Sequence, residues 1–495
     1  MATTRVRGRG GRRWVAVALG AAALAATPAG CARNPVTGKQ ELALISESQE
    51  IEMGRQSAQQ VAQQIGLVDN PELQAYVQQV GAKLAAASER PNLPWTFKVV
   101  DDASPNAFAL PGGFIFVTRG LLDLMDSEAE LASVVGHEIG HVTARHTVSQ
   151  MSKAQVAQIG LGVAMILKPE LQQFGDIAGQ GLQLLFLKFS RDDENQADAL
   201  GFRYAFNQGY DVREMADVFA SLDRISARSG EKGKLPEWLQ THPDPGNRIK
   251  KTEQRIAALN RPLTGLTVGE ATYMQHVQGL VYGENPRNGF FQGATFKHPD
   301  LRFQISFPSG WQAQNTPQAV IAVSPQQDAI IQLSFAQGSP TGAAQQFFSQ
   351  QGIQPLRSPT SESINGIPAV VGYFQAQTQQ GVVGGLASFL SYGGQTYQLL
   401  AYTPGQLLTQ YDRIFAQTVG SFGPLNDPAA LAVQPNRVNV IKLPQSMTLA
   451  EFNQRYPSPI PIEDLAIINQ VEGPTSQLSA GTFAKQVVGN FRGAN

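Results

Sequence analysis

The segment SVVGHEIGHVTARH, residues 133–146, puts two histidines and a glutamate into a run that is otherwise rich in small and apolar residues. His137 and His141 are four residues apart, so on a helix both imidazoles lie on one face, one turn apart. Two imidazoles at this spacing can share one zinc ion, and Glu138 beside them can reach a water next to that ion. The alternative is a pair of buried histidines that only satisfy hydrogen bonds within the core. The chain has only six histidines in 495 residues, so the pattern favours a metal site.

Ser127, followed three residues later by Glu130, is a capping-box pattern. It predicts a helix that begins near Asp126 and continues through AELASVVGHEIGHVTARHTV. His146 lies nine residues beyond His137, and at about 100° per residue it is expected on roughly the opposite face of this helix. We therefore interpret His146 as a surface or packing residue and expect a third ligand from elsewhere in the chain.

A second predicted helix offers that ligand, in the segment FSRDDENQADALGFRYAFNQGYD. Glu194 and Asp198 are four residues apart, so both carboxylates face the same way. Catalytic zinc sites usually have three protein ligands and one open position. One of these carboxylates can bind the metal while the other accepts the N–H of a ligating histidine. The alternative is a solvated acidic face, but the missing third ligand favours a metal site.

The N-terminus has the organisation of an export signal. Five arginines between Arg5 and Arg13 precede an apolar run at residues 14–26, and small residues follow. The run is short for a membrane span, although an uncleaved anchor is the alternative. PAGC resembles a bacterial lipobox with Pro28 in place of the usual leucine, which predicts a signal peptide at residues 1–30 and lipidation of Cys31.

Composition excludes some classes of protein. Cys31 is the only cysteine, so no intramolecular disulfide can form. The formal net charge of -1 gives no electrostatic basis for binding nucleic acid, and we predict no such partner.

A chain of 495 residues is expected to form several domains. Long helical patterns and two strands, WTFKVVD and GGFIFVT, occupy the first part, which we predict to be one domain at residues 31–262. From about Thr267 alternating segments such as AIIQLSF indicate a mixed α/β domain, predicted at residues 267–425. A proline-containing linker separates it from a small unit at residues 437–489.

The first domain resembles the HtpX and BepA type of zinc metallopeptidase, relatives of the CAAX prenyl protease. The resemblance rests on five motifs in the family's order: CARNPVTGKQEL, NAFALPGGFIFVTRGLL, HEIGHVTARH, SRDDENQAD and THPDPGNRI. It implies a mainly helical peptidase domain with a small sheet and one zinc ion per subunit. It also implies that residues 106–117 form a strand at a sheet edge facing the substrate.

The same resemblance assigns roles to residues. It implies that His137, His141 and Glu194 bind zinc, that Glu138 is the catalytic base and that Asp198 supports the ligands from behind. Two further residues lie in the last motif. Arg248 is a candidate for stabilising the oxyanion, with a surface or helix-end arginine as the alternative. His242 is a candidate fourth zinc ligand that would keep the enzyme latent; the alternatives are a group that assists the transition state and a polar turn residue.

The later parts of the chain resemble binding modules. HPDLRFQISFPSGW and the strands after it are similar to the PsbP-like fold. The tail resembles a LysM module, which implies peptidoglycan as a candidate partner, with departures from the pattern at QSMTL and YPSPIPIE. The fold class predicted is therefore α+β and multidomain.

The sequence thus predicts a zinc-dependent endopeptidase that hydrolyses misfolded or unassembled proteins of the bacterial cell envelope. We expect it to face the periplasm as an outer-membrane lipoprotein, held at the membrane by its lipid. The alternative is a chaperone or scaffold that holds proteins in the same groove without cleaving them. Two apolar runs between Ala154 and Leu187 are too short to span a bilayer and are expected to form a helical hairpin that either lines the active site or contacts a lipid surface.

Overall fold

A computed structural model describes residues 31–160, 188–230, 238, 241–242, 245–260, 262–316, 318–378 and 381–491. The predicted signal peptide and most of the predicted apolar hairpin lie outside these residues. Among the helices that the structure describes, none has both the length and the apolar character needed to cross a bilayer.

The N-terminal part is mainly helical. Its helices are α1 Glu47–Gln64, α2 Pro71–Ala85, α3 Arg119–Leu122, α4 Glu128–Thr143, α5 His146–Gly160, α6 Arg191–Asn207, α7 Glu214–Gly230, α8 Pro245–Ala258 and α9 Glu270–Val277. Its strands are β1 Cys31–Arg33, β2 Gln40–Leu42, β3 Thr96–Val100, β4 Ala107–Leu110 and β5 Phe114–Thr118. Strands β1 and β2 form a hairpin, while β3, β5 and β4 form a sheet in that order. Strand β5 lies between the other two, parallel to β3 and antiparallel to β4, so β3 and β4 are the edges of this sheet. The expectation of one edge strand over residues 106–117 was wrong: the segment forms two strands, and its GGFIFVT part is the central strand because it pairs on both sides.

The predicted helix of the histidine motif is present but shorter than expected. Its N-cap is Ser127, whose hydroxyl accepts a hydrogen bond from the backbone N–H of Glu130. The helix ends at Thr143, and Arg145 adopts a left-handed conformation with φ of 58° before α5 begins. One predicted helix is therefore two helices with a sharp turn between them.

The middle part is a mixed α/β unit. Its strands are β6 Phe290–Gln292, β7 Thr295–His298, β8 Phe303–Ser306, β9 Gln312–Asn315, β10 Ala319–Val323, β11 Ile330–Ala336, β12 Ile353–Pro355, β13 Thr360–Ile364, β14 Ile367–Thr378, β15 Gly381–Tyr392, β16 Gln395–Pro404 and β17 Gly423–Pro424. Its helices are α10 Pro340–Phe348, α11 Leu408–Gly420 and α12 Pro428–Leu431. The large sheet has the order β12-β14-β15-β16-β11-β10-β9, and β13 also pairs with β14. Successive residues of β15 face opposite sides, so Leu390 joins the core under α11 and Phe389 the core under α10.

The C-terminal part is small and packs on the N-terminal part. Its elements are β18 Arg437–Lys442, β19 Met447–Thr448, α13 Leu449–Arg455, α14 Ile462–Ile468, β20 Gln477–Leu478 and β21 Phe483–Val488. Leu449, Phe452 and Leu465 belong to the same buried cluster as the side chains of α2, α4 and α7. The two parts therefore share one hydrophobic core.

The segment after Thr267 also lies with the first part. The Val268 carbonyl accepts a hydrogen bond from Ala129, and the Tyr273 hydroxyl donates to the Leu122 carbonyl. The core of the middle part includes Phe296 and the strands that follow. The strand-like sequence pattern therefore begins at Thr267, but the residues just after it still pack on the first part, and the core of the middle part begins later in the chain. In its coarse form the prediction of a mixed fold with helices and several separate sheets is confirmed.

Candidate active site

Close packing of α4 against α6 brings the two sequence motifs together. A side chain at Gly201 of α6 would place its Cβ 2.6 Å from the backbone nitrogen of His137, and one at Gly136 would come within 3.1 Å of the Gly201 Cα. The missing side chains let the two backbones approach, so the histidines of α4 face the carboxylates of α6. Gly201 was not identified from the sequence, because its importance depends on a partner helix.

Four buried side chains converge at this contact: His137, His141, Glu194 and His242. The Nε2 atoms of His137 and His141 are 3.0 Å apart, and His137 Nε2 is 3.4 Å from His242 Nδ1. Glu194 Oε1 lies 3.4 Å from His141 Nε2 and 2.9 Å from His242 Nδ1. Four atoms arranged tetrahedrally around a zinc ion at about 2.1 Å are about 3.4 Å from one another. The spacing of the four ligand atoms therefore fits a single zinc ion.

The electrostatics of the group also fit a cation. Burial lowers the pKa of His141 well below its usual value, so its imidazole is neutral and has a lone pair to offer. Burial by itself would raise the pKa of Glu194, but the neighbouring histidines outweigh it and hold the pKa well below its usual value. Glu194 Oε2 is buried and has no hydrogen-bond partner among the described residues, although Arg248 Nη1 lies 3.5 Å away. A buried carboxylate oxygen without a partner is costly, and a bound metal would satisfy it.

Asp198 and Arg248 lie behind His137. Asp198 Oδ1 accepts a hydrogen bond from His137 Nδ1 at 2.8 Å. Arg248 donates from Nε and Nη2 to the two Asp198 oxygens at 2.9 and 2.6 Å, and its guanidinium lies over the Phe219 ring. Burial would raise the pKa of Asp198, but Arg248 and His137 outweigh it and hold the pKa below its usual value. Asp198 is therefore an anion that fixes the His137 ring with Nε2 toward the other ligands.

Glu138 is buried beside the ligand group. Its Oε1 has no hydrogen-bond partner within the described residues and lies 3.8 Å from His242 Nε2. Burial raises the pKa of Glu138 above its usual value. Glu138 Oε1 is thus adjacent to the cluster and accepts no hydrogen bond from the described residues.

His146 is a correction to the sequence analysis. It was expected on the opposite face of the histidine helix, but its Nδ1 lies 2.9 Å from Nδ1 of His141. The helical angle does not apply, because α4 ends at Thr143 and the left-handed Arg145 turns the chain back. Of the two interpretations given from the sequence, the surface residue is excluded, since His146 is buried.

His242 reaches the cluster from a separate segment. Its backbone N–H donates to the Trp238 carbonyl at 2.7 Å, and its ring stacks on that of Trp238 at 5.4 Å. Burial alone would lower the pKa of His242, but the carboxylates of Glu194 and Glu138 outweigh it and raise the pKa. The structure thus brings His242 to the other predicted ligands, although it is distant in sequence.

The N-terminal hairpin lies beneath the end of α4. Asn34, three residues after Cys31, donates a hydrogen bond from its side chain to the Ala144 carbonyl at 3.0 Å. Cys31 begins strand β1. Strand β4 also packs against α4.

Comparison with known proteins identifies the domain that carries this cluster. Residues 71–256 match peptidase family M48. A beta-barrel assembly-enhancing protease of Yersinia pestis is 31% identical over 230 residues, which cover 45% of this chain and 46% of that protein. The protein of the same name from Escherichia coli K12 is 28% identical over 266 residues, which cover 51% of this chain and 53% of that protein. Mitochondrial metalloendopeptidase OMA1 of Schizosaccharomyces pombe is 31% identical over 180 residues, which cover 36% of this chain and 52% of that protein.

The chain therefore spans about half the length of the curated relatives it matches. The predicted resemblance to a zinc metallopeptidase family is confirmed over this part of the chain. Among solved structures, a cyanobacterial PsbP from Synechocystis is 14% identical, with a TM-score of 0.23. The aligned region covers 27% of this chain and 94% of the PsbP chain.

Proposed function

We propose that this protein is a zinc-dependent endopeptidase of the bacterial cell envelope that cleaves misfolded or unassembled proteins. The observation that carries the proposal is the convergence of His137, His141 and Glu194, with Glu138 beside them whose Oε1 accepts no hydrogen bond from the described residues. Three such ligands and a neighbouring carboxylate are the parts that metal-assisted peptide hydrolysis requires.

Each residue then has a chemical role. A zinc ion held by His137, His141 and Glu194 would supply a Lewis acid for the scissile carbonyl and for the attacking water. Glu138 takes the proton from that water and returns it to the leaving amine, so no covalent intermediate with the protein is needed. Asp198 keeps the proton of His137 on Nδ1, which leaves Nε2 free to bind the metal.

The proposed role of Arg248 differs from the one suggested by the sequence. Two of its nitrogens donate to Asp198, and its Nη1 is 3.5 Å from Glu194 Oε2. This geometry favours a positioning role, in which Arg248 orients Asp198 and neutralises the charge behind the ligands. An oxyanion could be bound only through Nη1, which has no hydrogen-bond partner among the described residues, because Nε and Nη2 already donate to Asp198.

The substrate is proposed to bind as an extended strand along β4. An edge strand has backbone N–H and C=O groups that a peptide can pair with, which gives affinity with little dependence on side chains. Ala107–Leu110 lies at the edge of its sheet and packs against α4. Low sequence preference suits an enzyme that acts on unfolded segments of many proteins.

His242 is proposed to hold the site latent. Its Nδ1 lies 3.4 Å from His137 Nε2 and 2.9 Å from Glu194 Oε1, which are distances between ligand atoms that share one ion. Four protein ligands form a closed site without a position for water, as in structural zinc sites. Activity would then require the segment that carries His242 to move away.

The proposed location is the periplasmic side of the outer membrane, with a lipid on Cys31 as the anchor. The lipobox-like PAGC sequence and the names of the assembly-enhancing relatives support an envelope location. The middle part is proposed to be a PsbP-like binding domain and the C-terminal part a LysM-like module with peptidoglycan as a candidate ligand. No nucleic acid is expected as a partner.

The test is zinc analysis combined with casein cleavage by the wild type and by Glu138→Gln. We expect one zinc per chain in both proteins and no hydrolysis by the variant, because only the base is lost. Undiminished cleavage by the variant would contradict the mechanism. A non-proteolytic chaperone would instead suppress aggregation of unfolded protein equally well with either residue, while neither protein cleaves casein.

A further inference from the structure

His146 contacts the back of a proposed metal ligand. Its ring centroid is 4.9 Å from that of His141 at an angle of 77°, and the two Nδ1 atoms are 2.9 Å apart. Two imidazole nitrogens that lie this close, outside the proposed metal position, require that one carries a proton and the other a lone pair. The direction of this hydrogen bond therefore decides which nitrogen of His141 is free.

The requirements of metal binding fix that direction. His141 Nε2 faces His137 Nε2 at 3.0 Å and Glu194 Oε1 at 3.4 Å, so Nε2 is the atom that must offer its lone pair. The proton of neutral His141 is then on Nδ1 and is donated to His146 Nδ1. His146 must in turn carry its own proton on Nε2.

Gln196 completes the chain of hydrogen bonds. His146 Nε2 lies 2.9 Å from the Gln196 side-chain oxygen, which can only accept. Gln196 is on α6, two residues after Glu194. The same helix therefore supplies a proposed metal ligand and the acceptor that sets the tautomer of His146.

The turn that places His146 is itself held by buried charge. Arg145, with φ of 58°, donates from Nε to Glu50 Oε2 at 3.0 Å and from Nη2 to the Ile45 carbonyl at 2.9 Å. Arg90 binds the same Glu50 carboxylate and also donates to the Val142 carbonyl at the end of α4. These contacts fix the turn so that His146 points back at His141.

We propose that His146 is a positioning residue, which accepts the Nδ1 proton of His141 and so holds His141 Nε2 toward the metal. The two histidines of the motif are thus oriented by different partners: His137 by the Asp198 carboxylate and His141 by a neutral imidazole backed by Gln196. The inference rests on the proposed zinc site. It adds a residue that acts through a ligand without touching the substrate.

The test measures zinc affinity, by competition with a chelator, in full-length His146→Leu and His146→Asn variants. Leucine removes the acceptor, and losing such a partner typically costs about 10- to 100-fold in metal affinity. Asparagine places an amide oxygen near the position of Nδ1, so affinity is expected to return to within a few-fold of wild type. His298→Leu in β7 is the matched control and is expected to leave affinity unchanged.

Two further readouts separate positioning from packing. The visible spectrum of the cobalt-substituted protein should shift in His146→Leu and return toward wild type in His146→Asn. The melting temperature of the zinc-free proteins should be similar in both variants. Zinc affinity of His146→Leu within about twofold of wild type, or equal losses in both variants, would overturn the proposal.

Gln196→Leu provides an independent variant if His146→Leu does not fold, since Gln196 is partly exposed. It removes the acceptor for His146 Nε2–H, and a smaller loss of zinc affinity is expected. Unchanged affinity would contradict the proposed relay. A wild-type protein that binds no zinc would contradict the proposed function instead, so the two failures are distinguishable.

Discussion

Replacing Lys485 with methionine tests whether the C-terminal part is an integral piece of the peptidase. Lys485 lies on β21 and is fully buried. Its ammonium group donates to the carbonyls of Asp123 and Met125 at 2.9 and 2.6 Å and lies 2.6 Å from Asp126 Oδ1. These residues form the turn that leads into α4, so one lysine joins the C-terminal part to the helix of the histidine motif.

The cost follows from what the substitution leaves behind. Methionine keeps most of the volume but removes the donor for two carbonyls, at about 1 kcal/mol each. It also removes the positive charge next to buried carboxyl groups, and breaking a buried ion pair in this way typically costs about 3–5 kcal/mol. We therefore expect a loss of about 2 kcal/mol in unfolding free energy when those carboxyls are neutral and about 5–7 kcal/mol when they are charged.

The loss should depend on pH. Burial raises the pKa of Asp123 to about 7 and that of Glu130 well above its usual value, and Lys485 opposes both shifts. A carboxyl group with a raised pKa in the folded state contributes stability that is fully present below its unfolded pKa, near 4, and is lost as pH rises through the folded value. Without Lys485 these pKa values rise further, so the difference between variant and wild type grows from pH 5 to pH 8.

The assay is urea unfolding followed by tryptophan fluorescence, in the Glu138→Gln background to prevent self-digestion. Lys442→Met, an exposed lysine of the same small unit, is the matched control and should change little. Adding Glu130→Gln to Lys485→Met should recover part of the loss at pH 8, because the glutamine is neutral. A loss under about 1 kcal/mol at pH 8, or one that is the same at pH 5, would refute the reasoning.

Three further predictions concern the site and the anchor. Glu194→Ala should abolish stoichiometric zinc binding, measured by metal analysis after dialysis, because it removes a ligand and leaves the histidines unpaired; full retention of zinc would contradict its role. His242→Ala should increase casein cleavage while zinc stays bound, whereas a lower rate with zinc retained would indicate assistance to the transition state, and unchanged activity and affinity a turn residue. Cys31→Ser should move the protein out of the membrane fraction or leave it uncleaved, as fractionation and mass spectrometry would detect; equal membrane retention of a correctly cleaved variant would argue against lipidation.

Short-range patterns in the sequence determined much of the site. The spacing of His137 and His141 placed both on one face of a helix, and that of Glu194 and Asp198 did the same on a second helix. Ser127 predicted the start of α4, because capping involves only neighbouring residues. The alternation of apolar residues predicted strands β3 and β5.

The tertiary structure alone decided how these elements meet. Gly201 allows α4 and α6 to touch, and the left-handed Arg145 directs His146 back to the site, against the expectation from helical periodicity. Arg248 is paired with Asp198, and Lys485 joins parts of the chain more than 350 residues apart. Periodicity and capping depend on residues within one or two helical turns, whereas these contacts depend on which buried groups find a partner when distant segments pack.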